Sequence, residues 1–239
     1  MASAADCPRN GALGTSRVLA VDPATTPRVG LKSFPQTLPL ADKEIVLTFD
    51  DGPHPPTTRR VLAALAAECV RATFFLVGRN SAASPQLVRE IAAAGHTVAH
   101  HSWSHPSMVK ITDGAAREDI ERGMAADTGA LRGSGLESAA APFFRFPGFE
   151  SSPALLAWLD QRRIGVFGAD FWASDWNPMT PAEQLRLISE RTLHAGRGIV
   201  LFHDTKQQTA AMLADYLKFL RDNGFRIVHI VGPAPRPRS

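Results

Sequence analysis

The chain of 239 residues has a formal net charge of +3, with 44% hydrophobic and 21% charged residues. This length and composition are typical of one globular domain with a sizeable core. The mild basic balance, without long basic runs, argues against a nucleic-acid-binding surface. No apolar stretch reaches the ~20 residues that a membrane-spanning helix needs.

Residues 1–43 are rich in Pro, Thr and Gly and show little periodicity, so we expect an extended N-terminal arm that wraps the domain. The small residues at positions 2–4 are typical of the end of a cleaved signal peptide, which favours a periplasmic or secreted protein over a cytoplasmic one. Cys7 and Cys69 are too few for a disulfide framework. One bridge between them would staple the arm to the domain in an oxidising compartment, whereas in the cytosol both would remain thiols.

Residues 44–232 alternate short apolar runs with helical patterns and are predicted to form one domain, followed by a flexible tail at residues 233–239. The predicted strands are Ile45–Phe49, Ala72–Val77, Thr97–His100, Phe143–Phe146, Gly165–Gly168, Ile199–Phe202 and Arg226–Ile230. Helix-length segments separate most of them, and one opens with the capping box Thr180-Pro181-Ala182-Glu183.

This alternation predicts an α/β fold with about seven parallel strands, arranged as a distorted or incomplete (β/α) barrel related to the TIM barrel. An open doubly wound sheet is the alternative. No glycine-rich phosphate loop follows any strand, which weakens a nucleotide-binding interpretation.

Polar clusters lie at the C-terminal ends of five predicted strands or close beyond them. They are Asp50-Asp51, His101 with His105, Arg145, Asp175-Trp176 and His203-Asp204. In parallel α/β folds these strand ends share one rim, which is where active sites form. Five polar clusters on one rim are hard to explain as surface charge, so the sequence predicts an active site there.

Two imidazoles and a carboxylate are suitable ligands for a divalent metal, and His101, His105 and Asp51 supply that set. Zn²⁺ is the first expectation, with Co²⁺, Ni²⁺, Mn²⁺ or Fe²⁺ as alternatives. Three protein ligands leave positions open for water and substrate, which is typical of a catalytic site. The unligated Asp50 is a candidate general base; the alternative is that it only caps the turn at Gly52.

His203 closes an apolar strand on the same rim and is a candidate general acid, although a buried structural histidine is the usual alternative. A general acid needs a carboxylate that keeps it protonated, and Asp175 is the candidate. Arg145 is a candidate to orient and restrain Asp50, with a plain salt bridge as its alternative.

These segments resemble the polysaccharide deacetylase family, whose catalytic unit is the NodB homology domain of carbohydrate esterase family 4. The family's five motifs occur here in order, as Thr48-Phe49-Asp50-Asp51-Gly52, His101-Ser102-Trp103-Ser104-His105, Arg145-Phe146-Pro147, Asp175-Trp176 and Leu201-Phe202-His203. Each short motif alone is weakly specific, whereas the ordered set is highly specific.

The resemblance implies a distorted barrel and metal-dependent removal of N-acetyl groups from chitooligosaccharide or peptidoglycan-like glycans, with release of acetate. It implies the roles already named for the base, acid, ligand and supporting residues. It adds Trp176 and Leu201 as the wall that holds the acetyl methyl group, and the Gly148 backbone N–H as a donor to the oxyanion.

Two departures from the family pattern leave substrate choice open. Gly148 and Phe149 follow the third motif where an aromatic residue commonly comes first, and Trp172 with Ala173 replaces an Asp-Ser pair. Two alternative functions therefore remain: an amidase or imidase that acts on small amides, and a catalytically silent carbohydrate-binding domain. The complete set of site residues argues against the second.

Overall fold

The structure, a computed structural model, describes Cys7 and residues 10–233. The strands in this part of the chain are β1 Thr15–Ala20, β2 Arg28–Val29, β3 Glu44–Asp50, β4 Thr73–Leu76, β5 Thr97–His100, β6 Ala140–Phe144, β7 Gly165–Phe167, β8 Phe171–Trp172, β9 Gly198–His203 and β10 Arg226–Val231. The α-helices are α1 Pro55–Ala67, α2 Gly78–Ala83, α3 Pro85–Ala93, α4 Asp113–Leu131, α5 Pro153–Gln161, α6 Pro181–Ala195 and α7 Gln207–Asp222.

The strands form one sheet, and every pairing in it among the described residues is parallel. Its order is β8–β9–β3–β4–β5–β6–β7–β2, while β10 pairs with the first two residues of β3 and with β1. No pairing between described residues joins β2 to β8, so the sheet is open. The prediction of an α/β fold with a parallel, incomplete barrel is therefore confirmed.

Every residue of the central strand β3 is buried. Successive side chains of a strand point to opposite faces, so both faces of β3 must be covered. Ile45, Leu47 and Phe49 pack in the core cluster that includes apolar residues of α1 and α7. Val46 packs in a second cluster, most of whose members come from the other strands. By the same alternation Asp50 lies on the face of Val46, where it is 2% exposed.

The register of the sheet brings the polar strand ends together. Asp50 of β3 is paired with His203 of β9, so the last residues of these two strands are neighbours. His100, the last residue of β5, is paired with Phe144 at the end of β6. The residues that follow these two, His101 and Arg145, therefore emerge at the same edge of the sheet.

The structure contains elements that periodicity does not predict. The strands β1 and β2 lie within residues 1–43, and β8 lies between two predicted strands. Two-residue strands are too short to show a period, and β1 alternates only between half-buried and exposed positions. The helix α2 is likewise too short for its sequence to show a helical period. Residues 2–4 and most of the predicted tail, 234–239, lie outside the described residues.

A disulfide joins Cys7 to Cys69, with a Cα–Cα distance of 5.6 Å. Beside it, the Leu13 backbone N–H donates to a carboxylate oxygen of Glu68 at 2.9 Å, and the Gly14 N–H donates to the Glu68 carbonyl at 2.8 Å. The N-terminal segment is thus anchored beside the C-terminal end of α1. None of the described helices combines the length and apolarity needed to cross a bilayer.

The capping box at the start of α6 is present as the sequence predicts. The Thr180 hydroxyl accepts from the Glu183 N–H at 3.2 Å, and the Glu183 carboxylate accepts from the Thr180 N–H at 2.7 Å. We expect Thr180→Ala to lower the free energy of unfolding by about 1 kcal/mol, because it removes a cap. Urea titration measures this loss. The control is Thr128→Ala in the last turn of α4, whose hydroxyl only bonds back to its own helix, and equal losses for the two variants would contradict the capping role.

Candidate active site

A pocket of about 400 Å³ lies at the carboxyl ends of β3 and β9. Eight residues named from the sequence line it: Asp50, Asp51, His101, His105, Gly148, Trp176, Leu201 and His203. Arg145 and Asp175 lie directly behind it, hydrogen-bonded to Asp50 and His203. A larger cavity of about 810 Å³ beside β1 and β10 contains none of these residues, so size alone does not identify the site.

Asp51, His101 and His105 form a candidate metal site. The Asp51 Oδ1 atom lies 3.5 Å from His101 Nε2 and 3.3 Å from His105 Nε2. One potential ligand atom from each residue lies within 4.8 Å of the others. Two imidazole nitrogens and one carboxylate oxygen at this separation can surround one cation.

The chemistry of these donors fits a divalent transition metal. Asp51 Oδ1 is buried and has no hydrogen-bond partner among the described residues, so its lone pairs are available to a cation. His101 Nδ1 lies 2.7 Å from the Arg145 carbonyl oxygen and donates to it, which leaves the Nε2 lone pair toward the site. Burial lowers the pKa of His101 to about 3, against the opposing charge of Asp51, so the ring is neutral as a ligand must be.

The backbone around the candidate metal site is held in left-handed conformations. Asp51 has φ +74°, Ser102 has φ +67° and His105 has φ +59°. Such conformations cost energy in residues other than glycine and tend to occur at functional sites. Hydrogen bonds hold them: the Asn80 amide donates to the Asp51 carbonyl at 2.8 Å, and the His105 N–H donates to the Ser102 hydroxyl at 3.1 Å.

Arg145 is completely buried. Its guanidinium donates only to buried side-chain oxygens and to backbone carbonyl oxygens. Its Nη1 donates to Asp50 Oδ1 at 2.7 Å and to the Thr48 hydroxyl at 2.9 Å. Its Nη2 donates to the Gly168 carbonyl at 2.7 Å, and its Nε donates to the Phe167 carbonyl at 3.2 Å. The guanidinium is therefore fixed, and it fixes one oxygen of Asp50.

The other oxygen of Asp50 faces the candidate metal site, with Oδ2 lying 3.8 Å from His101 Nε2. Burial raises the pKa of Asp50 above its ordinary value, although the charge and hydrogen bond of Arg145 oppose the shift. A raised pKa makes this carboxylate a better proton acceptor than a solvated aspartate. Asp50 and Asp51 thus differ in their surroundings, because Arg145 holds the first while the second faces two imidazoles.

His203 is held by Asp175 on the opposite side of the pocket. The distance between His203 Nδ1 and Asp175 Oδ1 is 2.6 Å. Asp175 Oδ2 accepts from the backbone N–H of His203 and from the Thr209 hydroxyl, each at 2.7 Å. Burial alone would lower the pKa of His203, but the hydrogen bond and charge of Asp175, with the charges of Asp51 and Asp50, raise it to about 9. The imidazole is therefore protonated at neutral pH and presents Nε2–H to the pocket.

The wall of the pocket combines apolar surface with one free backbone donor. The Trp176 ring stands edge-on to the His203 ring, with centroids 5.9 Å apart, and is 48% exposed. Leu201 is buried beside it. The Gly148 N–H, at φ +60°, has no acceptor among the described residues.

Asp204 lies beside the turn that carries Asp51, and the sequence does not reveal its role. It is completely buried, accepts a hydrogen bond from the Thr58 hydroxyl, and packs against Gly52 so closely that a Cβ there would lie 2.3 Å from its Oδ2. Burial raises the pKa of Asp204 to about 7, and the charge of Asp51 adds to this shift. Asp204 therefore supports the turn that carries Asp51. An acid directly after an apolar strand is the only sequence signal for it.

Lys32 and Lys206 also line the pocket, together with Phe149 and Trp172. The sequence does not single out these lysines. Lys32 lies in the segment expected to be an arm, and Lys206 precedes a helix, where a lysine is ordinarily a solvated surface residue.

Comparison with known proteins explains this arrangement. A family model described as polysaccharide deacetylase matches residues 38–161, just over half of the chain. The chain belongs to the polysaccharide deacetylase family. The resemblance found in the five motifs is thereby confirmed.

Among curated members of the family, a chitooligosaccharide deacetylase from Sinorhizobium fredii is 32% identical over 202 residues, which cover 77% of this chain and 88% of that protein. A peptidoglycan-N-acetylglucosamine deacetylase from Bacillus cereus is 40% identical over 82 residues, which cover 34% of this chain. The match to the Bacillus cereus protein covers only 30% of that protein. A separate match to a chitooligosaccharide deacetylase from Rhizobium leguminosarum covers 37% of that protein.

Solved structures of the family share the fold. A peptidoglycan deacetylase from Bdellovibrio bacteriovorus has a TM-score of 0.82 and 29% identity, covering 95% of this chain and 62% of that chain. A family 4 carbohydrate esterase from Streptomyces lividans, in complex with acetate, has a TM-score of 0.66 and 30% identity, covering 77% of this chain and 91% of that chain.

We expect Arg145→Met to lower the free energy of unfolding by about 3–5 kcal/mol, because it leaves Asp50 buried without its cation. Urea titration checks this, and the control is Arg186→Met, since the exposed Arg186–Glu190 pair is worth at most about 0.5 kcal/mol. The double variant Arg145→Met with Asp50→Asn should recover part of the loss, because no charge is then left buried. A double variant as unstable as the two losses added would contradict the coupling.

The His203–Asp175 pair should make stability depend on pH. Because the pKa of His203 is raised to about 9 on folding, its contribution is complete below the unfolded value of ~6.5 and is lost as the pH rises through about 9. With a chelator present, the wild type should exceed Asp175→Asn by on the order of 3 kcal/mol near pH 6, and the difference should shrink toward pH 10. Urea titration at both pH values measures it. Asp222→Asn, in an exposed pair, is the control, and a difference that stays constant with pH would refute the linkage.

Proposed function

We propose that this protein is a metal-dependent hydrolase that removes N-acetyl groups from N-acetylglucosamine-containing glycans and releases acetate. The observation that carries this proposal is the pairing of Asp50 with His203 on adjacent strand ends. One is a carboxylate held by Arg145, the other is an imidazolium held by Asp175, and both face the candidate metal site. The chitooligosaccharide and peptidoglycan deacetylases among the relatives, and the relative in complex with acetate, support the same chemistry.

Asp51, His101 and His105 would hold the cation, for which we propose Zn²⁺, with Co²⁺, Ni²⁺, Mn²⁺ or Fe²⁺ as alternatives. A bound divalent cation supplies Lewis-acid polarisation of the acetamide carbonyl and acidifies water. The unpartnered Oδ1 of Asp51 and the free Nε2 of His101 support this assignment.

The side chains around the candidate metal site then divide the reaction. Asp50 accepts a proton from the attacking water while the water oxygen forms its bond to the acetamide carbon. The Gly148 N–H donates to the carbonyl oxygen while negative charge develops there. His203 gives its Nε2 proton to the acetamide nitrogen as the acetamide C–N bond breaks, and the products are acetate and a free amine. Trp176 and Leu201 form the apolar wall for the acetyl methyl group.

We propose residues 44–232 as the catalytic domain, with residues 1–43 as its N-terminal arm, and a periplasmic or secreted location with no nucleic-acid partner. The Cys7–Cys69 disulfide supports this location, because such bonds persist in oxidising compartments. N-acetylated cell-wall or chitin-like glycans are accessible there.

The central test of the proposal is Asp50→Asn, which keeps the shape of the side chain and removes the base. We expect acetate release from N-acetylglucosamine oligomers to fall by about 10²-fold or more, while metal content, measured by elemental analysis, is retained. His105→Ala should lose metal and activity together, and Asp42→Asn, at a fully exposed position, is the control. Full activity in Asp50→Asn would refute its role as the base.

The same preparation separates the alternative functions. Hydrolysis of small cyclic or linear amides without acetate release from the oligomers would indicate an amidase or imidase. Binding of the oligomers by the metal-replete wild type, without release of acetate, would indicate a silent carbohydrate-binding domain.

A further inference from the structure

Two lysines, Lys32 and Lys206, stand on the wall of the active-site pocket. Lys32 is exposed and lies just after β2, and Lys206 is partly exposed and directly precedes α7. They share the pocket with Trp172 and Trp176. Two cations and two indole rings therefore line the pocket that a glycan would enter.

Neither ammonium group has an ion-pair or hydrogen-bond partner among the described residues. Other lysines do: Lys218 pairs with Asp222, and the Lys43 ammonium donates to the Asn223 carbonyl. A lysine without a partner keeps its charge available to a ligand.

The backbone holds both lysines in place. The Lys32 N–H donates to the Ala169 carbonyl at 2.8 Å, and its ammonium lies 5.4 Å from the centroid of the Trp172 ring. That position over an aromatic face favours the cation at the pocket wall. The Lys206 N–H donates to the carbonyl of His203 at 3.2 Å, which ties it to the strand end that carries the proposed acid.

We propose that Lys32 and Lys206 make this pocket selective for N-acetylated glycans that carry a carboxylate near the acetamide. This inference rests on the proposed deacetylase function and names its substrate class. The carboxylate can come from an acidic ether substituent on a neighbouring sugar, as in muramic acid, or from a peptide attached to that substituent. A neutral chitin-like glycan offers neither ammonium a negatively charged partner.

The expected size of the effect follows from the exposure of the two lysines. An exposed ammonium–carboxylate pair is worth about 0.2–1 kcal/mol, so each lysine should contribute about 1.5-fold to fivefold in affinity. The two charges also attract an anionic glycan before contact, and salt screens both effects over about 10 Å at 0.1 M. The preference should therefore be moderate and should fall with ionic strength.

The test uses the zinc-loaded Asp50→Asn protein and measures binding by calorimetry, so that turnover does not interfere. Three tetrasaccharides of one backbone are compared: one with free lactyl carboxylates, one with those carboxylates amidated, and one with a stem peptide attached. The free acid should bind about twofold to twentyfold more tightly than its amidated form at low salt, and less so near 0.5 M salt. Preference for the peptide form alone would assign the carboxylate to the peptide and also supports the inference.

Substitutions assign the effect to the lysines. Lys32→Gln and Lys206→Gln should each reduce the acid-to-amide ratio of affinities, and the double variant should bring it close to one. Lys110→Gln, at an exposed lysine that does not line the pocket, is the matched control. Equal affinities for the acid, amidated and peptide forms, or a ratio that the double variant keeps, would overturn the inference.

The two proposals fail in different ways. Acetate release by the wild-type protein decides the deacetylase function, whichever glycan supplies the acetyl group. The affinity ratios decide charge selection, because they need no turnover.

Discussion

The buried ion pair between Arg145 and Asp50 is the interaction on which the site depends. Removing two charges from water is costly, and this pair persists only because the guanidinium has an acceptor on each side. Those acceptors come from β3, from the end of β7 and from the residue that follows it. One side chain thus links separate strands of an open sheet, and it fixes the orientation of Asp50 at the same time.

That constraint separates two aspartates which are adjacent in the chain. Asp50 lies on the sheet and is held by a cation, whereas Asp51 lies in the turn beyond it and faces two imidazoles. A second pair, His203 with Asp175, lies across the pocket, and Asp175 keeps the His203 imidazole protonated. The site therefore has a proton acceptor on one side, a proton donor on the other and a cluster of ligand atoms between them.

The pocket contains side chains besides those of the five motifs, among them Lys32 and Lys206. The proposed base and acid, Asp50 and His203, are the last residues of their strands, so the sheet positions them. Lys32, Lys206 and Trp176 on the pocket wall come instead from segments between strands, where sequence can change without disturbing the core. Under the proposed function, we therefore expect selection among substrates to depend on those segments and the reaction to depend on the strand ends.

The sequence by itself determined the α/β class, the positions of the main strands, and the five motifs that contain nine of the ten candidate site residues, with Gly148 directly after the third motif. It could do so because apolar periodicity and motif spacing are local properties of the chain. Only the tertiary structure decided that the sheet is open, that β1 and β2 join it, and that Cys7 reaches Cys69. It also decided that Asp204 supports the Asp51 turn and that Lys32 reaches the pocket. These contacts join residues far apart in sequence, and their cause is register and close packing, which no local pattern records.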